Sequence, residues 1–228
     1  MIRRARPLFA ASLLALATML AGCTSATTTA ANPPVVVGSG ASGQPSGLSD
    51  NTGSGPYQGT GLDPAQPRPS FTLTDTAGKS FAFGSRTAGR PTLLYFGYTN
   101  CPDVCPTTMA DIQLALQKLP VTLQEKVDVV FVTTDVKHDT AAVLTKWLSN
   151  FSAGVHATFV GLRGTQAQID TAQASAHIFL AEDGGQTHST QVLLYGPDDY
   201  AHVSFIYSGG TGAETGQIAH DLPVVAKS

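Results

Sequence analysis

Two of the three cysteines in the chain lie close together in the stretch YFGYTNCPDVCPTTM, which covers residues 95–109. Cys101 and Cys105 are four positions apart and follow an apolar run that ends in glycine. Two thiols at this spacing can close a disulfide, serve as a redox couple or bind a soft metal ion. A disulfide here would close a very small loop and would gain little from restricting the unfolded chain. A metal site with a distant third ligand is therefore favoured, and a redox couple remains open.

The two cysteines lie where a buried strand is predicted to end and a helix to begin. The run PTLLYFGY, residues 91–98, is short and nearly continuously apolar, which is typical of a parallel strand buried on both faces. After it, Met109, Ile112, Leu116 and Leu119 recur at helical spacing. The N-terminus of a helix carries unpaired N–H groups and partial positive charge, and both stabilise a thiolate. We therefore expect lowered pKa values for both cysteine thiols.

The remaining pattern alternates strands with helices and predicts an α/β fold. A hairpin is predicted in FTLTDTAGKSFAF, residues 71–83, where apolar and polar residues alternate on both sides of a turn. A second buried strand is predicted in KVDVVFVTTD, and helices are predicted to begin near Asp139 or Thr140 and at Thr165. A strand–turn–strand unit follows, and then a final helix that Pro223 is predicted to end. This order predicts a central mixed sheet flanked by helices in a thioredoxin-like arrangement, with the hairpin as an N-terminal extension.

The N-terminal segment MIRRARPLFAASLLALATMLAGC has the layout of a bacterial lipoprotein signal. Three arginines precede an apolar run that is too short for a comfortable membrane span of roughly 20 residues. The residues LAGC then resemble a lipobox, in which the cysteine after glycine is lipidated and becomes the mature N-terminus. We therefore predict a signal peptide over residues 1–22 and lipidation of Cys23. Because Cys23 would carry the lipid, only the two later cysteines would remain as thiols.

Composition separates a tether from a folded domain. Residues 23–66 are mainly Ala, Thr, Gly, Ser and Pro, and they bury too little apolar surface to offset the entropy of ordering. We predict a flexible tether there, followed by one domain over residues 67–228. The formal net charge of −3 gives no electrostatic basis for binding nucleic acid. The predicted location is the extracytoplasmic face of the bacterial cell membrane, to which the lipid anchors the protein.

Four stretches of the domain, taken in order, resemble the Sco (SenC) family. YFGYTNCPDVCPTTM is similar to the family signature F-G-Y-T-x-C-P-D-V-C-P. FVTTDVKHDTAAVLTKWLSNF is similar to a block that usually reads F-V-T-V-D-P, followed by R-D-T-P and a helix. GLRGTQAQI resembles the segment G-L-T-G-T, and THSTQVLLYGPD resembles the block D-H-S-x-x-x-Y-L-x-D-P. Val136, His138, Ala141 and Thr187 depart from this pattern, but both cysteines and the histidine of the last block are present.

The resemblance implies one copper ion, as Cu(I), Cu(II) or both, bound by Cys101, Cys105 and His188. It also implies a thioredoxin-like fold and a role at the binuclear copper centre of cytochrome c oxidase subunit II. The predicted function is therefore an extracytoplasmic copper metallochaperone for assembly of that centre. Its acceptor would be the oxidase subunit or another cuproprotein, and other copper chaperones would be its donors. The alternative is a thiol–disulfide oxidoreductase that keeps partner cysteines reduced through Cys101 and Cys105.

The donor set agrees with this expectation. Two thiolates and an imidazole form a soft three-ligand site that suits Cu(I), and that suits Cu(II) when one more ligand is added. Structural zinc would require four ligands in a closed shell, and the sequence has no fourth cysteine and no paired histidines. Spacing alone does not distinguish His188 from the other five histidines. Asp135, at the end of a predicted strand, either influences the site or is a solvated side chain.

Overall fold

A computed structural model describes residues 55–207 and 213–228 of the chain. The strands are β1 (Thr60–Pro67), β2 (Thr72–Asp75), β3 (Ser80–Ala82), β4 (Thr92–Gly97), β5 (Asp128–Thr133), β6 (Thr158–Arg163), β7 (Gln191–Tyr195) and β8 (Tyr200–Ile206). The helices are α1 (Phe83–Thr87), α2 (Val104–Gln117), α3 (Val121–Gln124), α4 (Ala141–Ser152), α5 (Gln166–Ser175) and α6 (Ala213–Val225), and a 3-10 turn spans Asp183–Gly185. None of the helices in the described ranges has the length and apolar character needed to cross a membrane.

The predictions for the N-terminal segment concern residues that the structure does not describe. The signal peptide of residues 1–22, the lipidation site Cys23 and the tether as far as residue 54 all lie outside the described residues. These three features therefore stay predictions.

The eight strands of the described residues join one mixed sheet in the order β1-β8-β7-β4-β5-β6-β2-β3. Strands β4, β5 and β6 run parallel to one another, whereas the other neighbouring strands pair antiparallel. The predicted hairpin forms β2 and β3 at one edge of the sheet. The expected mixed sheet with helices on its faces is confirmed.

Strand β4 is buried on both faces, as its continuous apolar sequence predicts. Leu93 and Tyr95 pack with α2, α4 and α6 on one face, whereas Leu94 and Phe96 pack with α1 and α5 on the other. Because successive side chains of a strand point to opposite faces, these four residues fill two separate cores. Burying one large apolar side chain contributes roughly 1.5–3 kcal/mol. Packing on both faces therefore fixes the position of the end of β4 and of the start of the loop that follows it.

The folded domain begins earlier than composition predicts. Residues 60–67 form β1, which pairs antiparallel with β8. The backbone N–H groups of Gln58 and Gly59 donate to the carboxylate of Asp221 at 2.8 and 2.7 Å. The prediction of a tether over residues 23–66 is therefore wrong for its last residues. Small and polar residues suffice at this edge of the sheet, because backbone pairing supplies the hydrogen bonds that the segment needs.

Two predicted helix caps are confirmed and one predicted helix end is wrong. The side chain of Thr140 accepts a backbone N–H at the start of α4, and Thr165 forms a capping box with Gln168 at the start of α5. Pro223 does not end the last helix, because α6 continues to Val225. A proline this close to the end of a helix removes one hydrogen bond and leaves the last turn in place.

The loops that carry the predicted ligands meet at one edge of the sheet. Gly97 at the end of β4 is the register partner of Thr133 at the end of β5. Strand β7 runs antiparallel to β4 and begins at Gln191, beside that end. Two loops therefore lie next to each other: the cysteine loop, residues 98–103, and the histidine loop, residues 182–190. We call this edge the site edge.

Candidate metal centre

Three side chains converge at the site edge. The sulfur atoms of Cys101 and Cys105 and a ring nitrogen of His188 all lie within 4.8 Å of one another. Cys105 Sγ is 3.3 Å from His188 Nε2, although the two residues are 83 positions apart in the chain. Both cysteines are free thiols. The structure thus brings together the three residues predicted as ligands, and within the described ranges no other such group of three side chains converges.

Cys105 is held inside the core by neighbours on β4. It lies in the first turn of α2, is fully buried, and accepts a hydrogen bond from the Tyr95 hydroxyl at 3.4 Å. Gly97 provides the space for the sulfur, because a Cβ at that position would lie only 2.8 Å from Cys105 Sγ. The glycine that ends the apolar run is therefore required by a close approach between β4 and α2.

Cys101 lies in the loop and is partly exposed. The N–H of Cys105 donates to Cys101 Sγ at 3.4 Å, while Asp103, the residue before α2, makes no side-chain cap. The sulfur of Cys101 therefore takes the place of a capping side chain. Burial acts to raise the pKa of Cys101, but hydrogen bonds from the backbone of Cys105 and Asp103 outweigh it and lower the pKa. The expected lowered pKa is confirmed for this cysteine.

The pKa of Cys105 shifts the other way, so the expectation of two lowered values is wrong for this residue. Burial raises the pKa of Cys105 to about 12, because the charged form loses its hydration. Hydrogen bonds from Tyr95 and Tyr98 oppose the shift without cancelling it. A position in the first turn of a helix is therefore not enough to lower the pKa of a thiol whose sulfur is buried in the core. A metal ion has to displace a proton from this thiol.

The two thiols should react at different rates with iodoacetamide in the reduced protein. Cys101 has the lower pKa and is partly exposed, so it should be alkylated faster at neutral pH, while Cys105 stays protonated and buried. The rate at Cys101 should rise with pH and level off above its pKa, whereas the rate at Cys105 should still be rising at pH 10. Peptide mass spectrometry measures both rates, with the urea-unfolded protein as the reference. Equal rates in the folded protein would contradict this assignment.

The histidine loop is a tight turn that depends on glycine. Glu182 and Thr187 exchange backbone hydrogen bonds at 2.7 and 3.2 Å across it. Gly184 and Gly185 both adopt positive φ, at +68° and +95°, a region that favours glycine. At Gly185 a Cβ would lie 2.0 Å from the backbone oxygen of Thr134. The loop therefore packs directly on the end of β5.

His188 presents one ring nitrogen to the cysteines because the other is already bonded. Its Nδ1 lies 2.8 Å from the backbone oxygen of Ser189, and since a carbonyl can only accept, Nδ1 carries the proton. Nε2 therefore has the lone pair, and it faces Cys105 Sγ. The rings of Tyr95 and Tyr98 meet the imidazole edge-on, and burial lowers the pKa of His188. The imidazole is thus neutral at pH 7, oriented, and ready to bind a metal ion.

The outer hydrogen-bond partner of His188 is one that sequence reasoning missed. Thr187 stands where the family pattern has Asp, and its hydroxyl donates to Asp183 at 2.9 Å. The partner of the imidazole is instead the main-chain oxygen of Ser189. Every residue has such an oxygen, so no residue type in the sequence signals this contact.

Asp135 lies beside the site without joining the three ligands. Its carboxylate accepts from the N–H of His138 at 3.0 Å and from His138 Nδ1 at 2.8 Å. Burial is the main cause that raises the pKa of Tyr98, and the charges of Cys101 and Asp135 add to it. Asp135 is only 3% exposed, which excludes the solvated side chain that the sequence left open.

The described domain matches one known family. A sequence model of the family SCO1/SenC matches residues 60–222, which is more than half of the chain. The chain belongs to the SCO1/SenC family. A SCO2-like protein of Rickettsia felis is 33% identical over 139 residues, which are 60% of this chain and 61% of that relative. The chain thus spans about three fifths of the length of the curated SCO2-like relatives that it matches.

Solved structures of Sco proteins share the fold of this SCO1/SenC chain. ScoI of Bradyrhizobium japonicum, with copper bound, is 31% identical and has a TM-score of 0.56 over 70% of this chain and 99% of its own. Apo Sco1 from Thermus thermophilus is 28% identical and has a TM-score of 0.61 over 74% of this chain and 96% of its own. The predicted thioredoxin-like fold of the Sco family is confirmed.

Proposed function

We propose that this SCO1/SenC protein binds one copper ion through Cys101 Sγ, Cys105 Sγ and His188 Nε2. The convergence of these three atoms within 4.8 Å at the site edge carries the proposal. The related ScoI of Bradyrhizobium japonicum, which has copper bound in its solved structure, supports copper as the ion. Two sulfurs and an imidazole nitrogen are soft donors that favour Cu(I), and a further ligand would complete a Cu(II) site.

The three proposed ligands differ in how tightly they hold a proton before copper binds. Cys101 has a lowered pKa and His188 already has its Nε2 lone pair free, whereas Cys105 has a pKa of about 12. Of the two thiols, Cys105 holds its proton more tightly, so copper has to displace a proton there to bind. The affinity should consequently rise as the pH rises.

We further propose that copper is cargo rather than a permanent cofactor. Three protein ligands leave a coordination position free, and the partial exposure of Cys101 lets an acceptor approach the ion. The acceptor in this proposal is cytochrome c oxidase subunit II, at its binuclear copper centre, or another cuproprotein. Other copper chaperones supply the ion. The protein acts at the extracytoplasmic face of the bacterial membrane, with a lipid on Cys23 as its anchor.

Copper titration of the reduced protein in detergent tests the proposal. We expect one copper ion per chain, with Cu(II)–thiolate absorption that grows in step with bound copper. Cys101→Ser and Cys105→Ser should each weaken binding and reduce that absorption. Cys23→Ser is the matched control and should bind copper as the wild type does. Stoichiometric binding that survives in the double variant of Cys101 and Cys105 would contradict the proposal.

A second function, thiol–disulfide exchange, is favoured by the exposure and the lowered pKa of Cys101. The Cys101 thiolate attacks a partner disulfide, which forms a mixed disulfide and releases one partner thiolate. The Cys105 thiolate then attacks Cys101 Sγ and releases the second partner thiolate. Two electrons pass to the partner, and a Cys101–Cys105 disulfide remains. This reaction does not need His188, so stoichiometric reduction of a peptide disulfide by the reduced His188→Ala variant distinguishes it from copper binding.

A further inference from the structure

Both ligand-bearing loops are fastened to the end of β5 by two adjacent threonines. β5 ends at Thr133, and both Thr133 and Thr134 are fully buried. The hydroxyl of Thr133 donates to Asp139, which in turn holds the cysteine loop, whereas the hydroxyl of Thr134 donates to the histidine loop itself. One short segment therefore contacts both halves of the metal centre.

Asp139 connects Thr133 to the cysteine loop. Its Oδ2 accepts from the Thr133 hydroxyl at 2.5 Å and from the N–H of Thr99 at 3.0 Å. Its Oδ1 accepts from the Thr99 hydroxyl at 2.5 Å, and the residue is only 1% exposed. Thr99 lies two residues before Cys101, so these bonds fix the start of the loop that carries the outer sulfur. Removing a buried acceptor of this kind leaves donors unsatisfied, which is costly.

Thr134 connects β5 to the histidine loop. Its hydroxyl donates to the backbone oxygen of Gly185 at 2.6 Å. Gly185 lies three residues before His188 and so close to Thr134 that no Cβ fits between them. In the described part of the chain, this bond ties residues 182–188 to the end of β5, whereas Thr190 at the end of the loop is bonded to Tyr207. The bond from Thr134 therefore sets how near the first part of the loop lies to β5.

We propose that Thr134 and Asp139 are positioning residues that set the distance between the sulfur ligands and His188 Nε2. Neither side chain is one of the three converging ligands, and each holds one loop against the same strand end. The proposal rests on the three-ligand copper site proposed above and adds the residues that control its geometry.

Thr134→Val removes the hydroxyl and keeps the shape of the side chain. Cu(II) affinity should fall about 10- to 100-fold, the range typical for loss of a group that orients a metal ligand. Nitrogen hyperfine splitting from His188 in the EPR spectrum should weaken, while the thiolate absorption persists. Thr134→Ser keeps the hydroxyl, so its Cu(II) affinity and its nitrogen hyperfine splitting should match those of the wild type. Thr92→Val is the matched control, because Thr92 is equally buried and donates to the backbone oxygen of Arg90 at the opposite edge of the sheet.

Asp139→Ala should affect the cysteine half of the site instead. Copper affinity should again fall about 10- to 100-fold, with a change in the thiolate absorption and a smaller difference in alkylation rate between the two cysteines. Asp139→Asn keeps an oxygen that can accept from the N–H of Thr99, so this variant should retain much of the copper affinity that Asp139→Ala loses. Asp128→Ala is the matched control, because Asp128 is a buried carboxylate that accepts two hydrogen bonds from Arg90 at the start of β5, the end opposite the site.

Thermal unfolding of each variant without copper measures its stability. A loss of copper affinity that comes from positioning can then be told apart from one that comes from a less stable fold. Copper affinities that fall equally in Thr134→Val and Thr92→Val, or in Asp139→Ala and Asp128→Ala, would overturn the positioning roles. If Asp139→Ala does not fold, Thr99→Val removes one hydroxyl from the same carboxylate and replaces it in the comparison. A wild-type protein that binds no copper would refute the proposed function itself, which is a different result from equal affinities among the variants.

Discussion

Replacement of His188 with alanine should lower the affinity of the protein for Cu(II) on the order of 100-fold or more. Loss of an outer partner of a metal ligand alone typically costs roughly 10- to 100-fold, and in the proposed site His188 is the ligand itself, with Nε2 3.3 Å from Cys105 Sγ. Cu(I) affinity should fall less, because both thiolates remain and Cu(I) favours sulfur. Competition with a chelator of known affinity measures each change.

His202→Ala is the matched control for this experiment. His202 also has a hydrogen-bond partner, in its case Asp198 at 2.9 Å from Nε2, but it lies on β8 outside the ligand cluster. Its replacement should leave copper binding unchanged. Equal losses in the two variants, or an unaltered nitrogen splitting after replacement of His188, would show that the imidazole is not a ligand.

Gly185→Ala should displace the histidine loop and lower copper affinity nearly as far as loss of the histidine. Alanine at a φ of +95° is strained, and its Cβ would lie 2.0 Å from the backbone oxygen of Thr134. That oxygen belongs to the end of β5, which is packed inside the sheet, so the loop is the part that moves. Strain of this kind should lower the free energy of unfolding by roughly 1–3 kcal/mol. Copper titration and urea unfolding of the same preparation measure the two effects.

Gly184→Ala separates backbone strain from the contact with β5. Gly184 also has a positive φ, at +68°, but a Cβ there would meet nothing within 4 Å. This variant should lose about 1–2 kcal/mol of stability from the left-handed backbone and keep its copper affinity. If both glycine variants lost copper to the same extent, close packing of the loop on β5 would not be the reason for the loss.

Local patterns were sufficient to predict the elements that carry the cysteines. The apolar run of β4 fills cores on both faces of the sheet, so its strand character follows from composition alone. The spacing of apolar residues in α2 likewise predicts the helix that buries Cys105. The caps at Thr140 and Thr165 follow from residue types that accept backbone N–H groups.

Features that depend on contacts between distant segments could not be predicted in this way. His188 meets Cys105 across 83 positions, and only the family resemblance distinguished it from the other histidines. The raised pKa of Cys105 comes from the core around its sulfur, which spacing along the helix does not reveal. Asp139 looks like a helix cap in sequence, yet its carboxylate holds Thr99 and Thr133. Strand β1 is stable through backbone pairing, which leaves no apolar pattern to find.

The unequal burial of the two sulfurs sets an order for ligand exchange. Cys105 is fully buried, whereas Cys101 is partly exposed, so an incoming thiolate from an acceptor would meet the ion on the side of Cys101. Cys101 is also the less basic of the two sulfurs, which makes it the better leaving group. If copper is cargo, as proposed above, an acceptor thiolate would replace Cys101 first, while Cys105 and His188 would still hold the ion. Copper would then pass to the acceptor through shared coordination rather than through free solution.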